Sequence, residues 1–303
     1  MPIQLPADSD RLTRFLLDRA GVRGVRVHLR DTWRQIRDRD EAYPVAVAEL
    51  LGEASAAAAL FTGHAKIDGR LSVQLRSEGD LRTLFAECTA AGTLRGIARL
   101  AEGAGPVSRD LRALGDGALL AITIENPGRR GHEPMRYQGM VALESDALSG
   151  AFEDYFRQSE QLPTRILLAA DADAAAGLML QKLPGDEGDE DGWRRASALF
   201  DTLTAQELLD WPEQRLLARL FHDDGPRRVG EPRPLVFACS CSRERVAAML
   251  ESLGEDEAHA AVVDGSARIR CEFCGQAYRF EPADIDALFT AHGRPMDAPG
   301  RLH

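Results

Sequence analysis

The sequence predicts an α+β protein in three parts. These are a mixed sheet-and-helix amino-terminal domain over residues 1–183, a helical hinge or linker over 184–232, and a small four-cysteine, zinc-binding domain over 233–303. Three observations carry this division. Up to about residue 180, stretches of alternating apolar residues interleave with stretches at helical spacing, the pattern of an α+β domain. Leu183–Gly192 then breaks into Pro-Gly-Asp-Glu-Gly-Asp-Glu-Asp-Gly, an acidic, glycine-rich run without period that reads as a solvated loop. Apart from Cys88, the cysteines form two close pairs near the end of the chain.

Taken in order, Asp8–Ala20 reads as a short helix with Leu12, Phe15 and Leu16 on one face. Val25, Val27 and Leu29 alternate with Arg and His, as in a half-buried strand. Tyr43-Pro44 opens an alanine-rich helix to about Leu60, with proline near its first turn and Val47, Leu50, Leu51, Ala54 and Ala58 as its buried face. Asp68-Gly69 between Ala65–Ile67 and Leu71/Val73/Leu75 is a hairpin signal, and Gly79-Asp80 turns into Leu81–Cys88. Cys88 itself reads as a small buried hydrophobe rather than a reactive thiol. Ala118–Ile124 and Tyr137–Leu143 are strands, Asp146–Gln161 a helix, and Arg165–Ala170 and Leu178–Leu183 two more strands. In the hinge, Thr204-Ala-Gln-Glu207 and Asp210-Trp-Pro-Glu213 each place a capping oxygen three residues before a glutamate. Leu208, Leu209, Leu216, Leu217, Leu220 and Phe221 give these short helices apolar faces, and Asp223–Pro234 returns to glycine, proline and arginine. From about Leu235, Ser242 caps a helix with Val246, Met249, Leu250 and Leu253 on one face and Gly254 at its end. A hairpin over Ile269–Phe280 and a terminal helix over Asp284–Phe289 complete the chain.

Composition excludes several classes. The 303 residues are 44% hydrophobic and 28% charged, an ordinary balance for a soluble globular protein. A net charge of −11 disfavours a nucleic-acid partner, which needs a concentrated positive face. Lys66 and Lys182 are the only lysines, so the positive charge is nearly all arginine. The start of the chain has no basic segment leading into an apolar one, and hence no secretory signal. No apolar run approaches the ~20 residues of a membrane helix; Ile166–Leu180 is interrupted by Asp171 and Asp173. The expectation is a cytoplasmic protein without membrane or nucleic-acid partners, and the cysteine usage suits a reducing compartment.

Cys239 and Cys241, followed after residues 242–270 by Cys271 and Cys274, have the arrangement of a tetrahedral zinc site. In extended backbone, residues two apart share a face about 6.6 Å apart, so Cys239 and Cys241 can address one ion. Gly275 after Cys271-Glu-Phe-Cys274 permits a tight knuckle. The same thiols are oxidisable, and the spacing lets each pair close on itself, although one shared metal would also bring the pairs close enough to cross-link. From spacing alone, a permanent structural clip is the simpler reading. His259 lies between the pairs, but four cysteines already fill a tetrahedron. His64 and His132 read as ordinary surface or core histidines.

The chain carries no Walker loop, no Gly-x-Ser-x-Gly elbow and no His-Glu-x-x-His. Gly103-Ala-Gly105 lacks the third glycine of a dinucleotide turn and follows no clear strand. No acid, base and nucleophile assemble, so no catalytic residue is assigned and the chain is not read as an enzyme.

Cys239-Ser-Cys-Ser-Arg-Glu-Arg245 with Cys271-Glu-Phe-Cys274-Gly-x-x-Tyr278-x-Phe280 resembles the redox-regulated heat-shock chaperone family of about thirty-three kilodaltons. Leu50-Leu-Gly-Glu53, Leu94-Arg-Gly96, Tyr137-Gln-Gly139 and Ser159-Glu-Gln-Leu-Pro-Thr164 extend the likeness across nearly the whole chain; Ala176-Gly177, where two glycines are typical, departs from it. The resemblance implies an ATP-independent holdase that is inactive when reduced and zinc-bound. It implies one Zn²⁺ per chain on Cys239, Cys241, Cys271 and Cys274. It also implies that oxidation to Cys239–Cys241 and Cys271–Cys274 disulfides releases zinc, unfolds the hinge and exposes a surface for unfolding client proteins, the active form being a homodimer. This reverses the structural-clip reading. Physical argument runs the same way: a structural zinc contributes roughly 10–16 kcal/mol in small peptides, more than a minimal domain of this size holds in reserve. The rival is a zinc ribbon that binds nucleic acid, attached to a scaffold or enzyme domain. Arg243, Arg245, Arg268 and Arg270 near the cysteines favour it, unless they offset the −2 charge of four thiolates and one Zn²⁺.

Overall fold

Strands and helices alternate within two units, Met1–Ala238 and Cys239–His303. The computed structural model describes residues 9–38, 43–65, 67–115, 117–128, 133–185 and 189–291. The expectations for the extreme amino terminus, for His132 and for the middle of the acidic run lie outside these residues.

In the first unit β1 (Arg11–Leu17) and β2 (Val22–Leu29) form a hairpin, followed by α1 (Asp31–Arg37) and α2 (Val45–His64). Next come β3 (Arg70–Arg76), β4 (Leu81–Thr89), β5 (Thr93–Leu100), β6 (Leu119–Asn126) and β7 (Met135–Val141). Then follow α3 (Leu148–Ser159), β8 (Thr164–Ala170) and β9 (Ala175–Lys182). Three short helices succeed them, α4 (Gly192–Phe200), α5 (Ala205–Asp210) and α6 (Glu213–Phe221), with strands β10 (Pro226–Arg228), β11 (Arg233–Pro234) and β12 (Val236–Phe237). One sheet runs β10-β1-β2-β9-β8, with β11 also on β1, and a second runs β12-β5-β4-β3-β6-β7.

The alanines of α2 have a mechanical reason. The helix lies between the two sheets, touching β2, β8 and β9 of one and β3, β4 and β5 of the other. Every residue from Leu50 to Gly63 is buried. A helix covered on all sides carries no polar stripe, and small side chains let both sheets approach. Gly52 is the extreme case, where a Cβ would lie 2.4 Å from that of Ala170. Contrary to the sequence expectation, this helix is long and apolar enough to cross a membrane by length and composition.

Five further expectations need correction. The segment predicted as a helix over Asp8–Ala20 contains β1. Leu12 packs into the core around α2, while Phe15 and Leu17 pack under α4–α6. Both faces of the strand are covered, so its apolar residues lose the alternation that marks a half-buried strand. Asp68-Gly69 turns the chain into β3, with both N–H groups donating to the Asn126 side-chain oxygen. The hairpin turn itself falls between β3 and β4, and Ala65 and Ile67 are not in a strand. A strand, β5, does precede Gly103, and α4 follows the acidic run directly. Finally, the polar side of β2 is not solvated: Arg26 and His28 are buried.

The second unit holds α7 (Arg243–Leu253), α8 (Glu255–Ala260), β13 (Val262–Val263), β14 (Ser266–Arg270), β15 (Ala277–Phe280) and α9 (Pro282–Ala291). Ser242 Oγ accepts from the Arg245 N–H at 3.3 Å, capping α7, and Gly254 ends it at φ +98°. Val246 and Leu250 enter a small core with Ala258, Ala267, Phe280 and Ile285, whereas Met249 and Leu253, expected on the same face, are exposed.

Candidate metal centre and the docked helices

Two loops converge in the second unit. Cys239 and Cys241 lie in irregular backbone ahead of the Ser242 cap. Cys271 and Cys274 lie in the β14–β15 turn, where the Gly275 N–H donates to the Cys271 carbonyl at 2.7 Å and the Cys271 N–H to the Gln276 carbonyl at 2.9 Å. Gly275 has φ +68°, the left-handed conformation that the knuckle requires.

The four Sγ atoms lie within 4.8 Å of one another. Cys239 Sγ is 3.6 Å from Cys271 Sγ, and Cys241 Sγ is 3.2 Å from Cys274 Sγ. Sulfurs on a tetrahedral ion at ~2.3 Å stand roughly 3.8 Å apart, so the cluster fits a four-thiolate metal. These short approaches cross the two sequence pairs, and the folded cluster does not by itself favour local disulfides.

The sulfurs differ electrostatically. Burial opposes ionisation of Cys241, but hydrogen bonds from the Tyr278 hydroxyl, at 3.1 Å, and from the neighbouring thiols outweigh it and bring the thiol down to about 7. Burial leads the opposite shift at Cys274, which rises to about 12, and also raises Cys239. Of Cys239, Cys241 and Cys274, Cys241 is therefore the first to ionise. Tyr278 was visible in the sequence only as part of a motif, with no role attached.

Three of the four nearby arginines, Arg243, Arg245 and Arg270, serve the unit's own structure. Arg243 pairs with Asp284 at 2.9 Å and lies over the Phe280 ring. Arg245 donates to the Ser240 carbonyl at 2.8 Å and Arg270 to the Gly275 carbonyl at 3.2 Å. His259 pairs with Asp286 at 3.0 Å rather than joining the sulfurs. Cys88 is fully buried in the first unit and burial pushes its thiol up to about 12, the signature of an inert core residue.

The second feature is the face that α4–α6 cover. Phe200, Leu208, Leu209, Leu216, Leu220 and Phe221 are buried against Phe15, Leu17, Val22, Leu178 and Leu180 of the sheet. Polar contacts fix the register. Arg26 Nη2 donates to the Trp211 carbonyl at 2.7 Å, and His28 Nε2 lies 2.7 Å from the Leu209 carbonyl. Both carbonyls belong to the carboxyl end of α5 and the residue after it, where helix carbonyls lack partners within the helix. Burial, with repulsion from Arg26 and Arg30, lowers His28 to about 4 against the support of the Leu209 carbonyl and Asp10. The imidazole is thus neutral at pH 7 and donates from Nε2. Thr204 and Glu207 form the predicted capping box of α5. Asp224, fully buried, pairs with Arg195 of α4, and Glu213 of α6 pairs with Arg228 of β10 at 2.9 Å.

A family model described as Hsp33 protein matches residues 10–281. The 33 kDa chaperonin of Ectopseudomonas mendocina is 45% identical over 301 residues, covering 97% of this chain and 99% of its own. That of Azotobacter vinelandii is 44% identical over 295 residues, covering 95% and 97%. The crystal structure of the 33 kDa chaperonin, a heat shock protein 33 homolog, from Thermotoga maritima shares the fold with a TM-score of 0.74 at 20% identity, covering 93% of this chain and 99% of that one.

Proposed function

The chain belongs to the Hsp33 family, and from that premise we propose that it is a redox-regulated, ATP-independent holdase, a binding protein rather than an enzyme. The observation that carries the redox reading is the convergence of four thiols beside a core of only six buried apolar side chains among the described residues of that unit. In the reduced state Cys239, Cys241, Cys271 and Cys274 would hold one Zn²⁺, which when bound supplies a cross-link between the two loops worth roughly 10–16 kcal/mol in small zinc peptides.

Oxidation consumes the ligands. With a peroxide as oxidant, two thiolates and two protons become one disulfide as hydrogen peroxide is reduced to two waters, or an alkyl hydroperoxide to an alcohol and a water. Once the cluster opens, loop-closure entropy favours Cys239–Cys241 and Cys271–Cys274, because the competing cross-pair loops are about tenfold longer. A zinc-free unit with so small a core unfolds.

Residues 184–232 are the linker between a core over 1–183 and a redox unit over 233–303. Its helices are shorter than the ~12–15 residues needed for marginal independence in water, so docking must hold them. Undocked, they release their own leucines together with Phe15, Val22, Leu178 and Leu180 of the sheet, a contiguous apolar surface of the kind that binds other chains. Such binding needs no nucleotide. The clients would be unfolding proteins under oxidative stress, the compartment the cytoplasm, and the active form a homodimer.

The test is light scattering from a thermally denaturing client, with the protein reduced or peroxide-treated and no nucleotide present. Suppression of aggregation only after oxidation, with disulfides mapped inside each pair, is expected. Equal suppression in both states would overturn the redox switch, and none in either would overturn the holdase.

A further inference from the structure

On the α2 side of the first sheet, positions 14, 16, 23 and 25 share one face, because Arg14 pairs with Val25 and Leu16 with Arg23 across the β1–β2 hairpin. Arg14 and Arg23 are diagonal neighbours, within reach of a common ligand for side chains of their length. They line a cavity of about 200 Å³ with Leu16, Val25, His64 at the end of α2, and Val229 just after β10.

The charges in this wall are poorly matched. Arg14 makes no side-chain hydrogen bond or ion pair among the described residues. Arg23 donates through Nε to the neutral Gln181 Oε1 at 3.0 Å and lies 3.2 Å from His64 Nε2, with no carboxylate at ion-pair distance. Burial holds its guanidinium below the ordinary value, against partial support from Glu160. Glu160 stands behind the cavity, 3.6 Å from His64 Nε2, and accepts from Gln181 Nε2 at 3.1 Å. Two guanidiniums against one carboxylate leave one positive charge beside apolar walls. A cavity of ~150 Å³ accommodates benzene, so this one has room for a ring-sized body and one small charged group.

We propose that the cavity binds a small organic monoanion, a carboxylate on a ring-sized apolar body, with the carboxylate shared by Arg14 and Arg23. The Val229 N–H donates to the Arg14 carbonyl at 2.8 Å, so an occupant touching Val229 and both arginines holds the end of the 184–232 segment against β1. Ligand then delays opening of that segment. This second part rests on the linker reading above; the binding itself does not.

Benzoate is the probe, on reduced full-length protein, followed through the amide resonances of Gly24 and Val229. A saturable shift is expected, about tenfold weaker for Arg14→Gln, the loss of one charge-assisted hydrogen bond. Arg14→Gln keeps the fold because the side chain holds nothing else. Benzamide, neutral and of the same shape, should bind about tenfold more weakly too, and inorganic phosphate, lacking the apolar body, should not compete. Absence of a saturable shift, equal binding by Arg14→Gln, equal binding of benzamide, or full competition by phosphate would each overturn the site. With binding established, benzoate should slow both amide exchange over residues 227–229 and the rise of chaperone activity after peroxide. Unchanged exchange would overturn the coupling while leaving the site, and unchanged exchange in a protein with no oxidant-dependent activity would instead locate the failure in the linker reading.

Discussion

His28 shows how one side chain can register the state of a whole segment. Its neutral imidazole donates to the Leu209 carbonyl in a site already occupied by Arg26, with Arg30 and Asp10 near. The docked form holds His28 at about 4, below the 6.5 of a free imidazole, so protons bind better when the helix is away. The docked state is therefore fully favoured above about pH 6.5 and weakens as pH falls towards 4. The loss is at most about 3 kcal/mol, at 1.36 kcal/mol per pH unit. Exchange protection over Ala205–Asp210, taken relative to the intrinsic amide exchange rate at each pH, should fall between pH 7 and 4.5 in the parent. His28→Gln, which cannot charge yet can donate to the same carbonyl, should change much less. An equal fall in both would remove His28 from the account. At the other residue of consequence, Cys271→Ser should abolish most zinc binding by metal analysis and unfold the second unit, since three thiolates and an alcohol make a much poorer site. Full zinc occupancy in that variant would contradict a four-sulfur centre.

At the scale of elements, α5 and α6 are six and nine residues long. They persist because Leu208, Leu216, Leu220 and Phe221 bury almost completely against the sheet. Aspartate at both Leu216 and Leu217 places charge in that apolar contact at a cost of several kcal/mol. The double variant should lose exchange protection over Thr204–Phe221 while β6 and β7 keep theirs. It should also suppress client aggregation without oxidant and with zinc still bound. If it stays inactive with the segment demonstrably unfolded, opening the segment is not sufficient for activity. The polar fasteners act in register with the apolar ones: the Arg195–Asp224 and Glu213–Arg228 pairs tie α4 and α6 to the turn and strand that follow.

At the scale of the molecule, the two units have very different cores. The first has two large apolar clusters, one around α2 and one beneath α4–α6; the second has a single small one. Stripping metal with a chelator under reducing conditions should therefore melt the second unit first. Two separate unfolding transitions by circular dichroism are expected in place of one, the higher belonging to the β-rich first unit. A single transition at unchanged temperature after verified zinc removal would show that the second unit does not depend on the metal.

The sequence alone determined what is local. The cysteine spacing, the Gly275 knuckle, the Thr204–Glu207 capping box and the start of the alanine helix after Pro44 each depend on residues within a few positions of one another, and each is found as read. Tertiary structure decided whatever depends on what covers a face. Asp8–Ala20 reads as a helix in sequence but contains the strand Arg11–Leu17, whose alternation is erased by the layers that cover both of its faces. Arg26 and His28 read as solvent-facing and are buried because the end of α5 presents them with unpaired carbonyls. Met249 and Leu253 share a helical face with Leu250 yet remain exposed because the second unit's core is too small to reach them. Gathering four sulfurs from two distant loops, and placing two arginines around one cavity, likewise required the chain to return on itself.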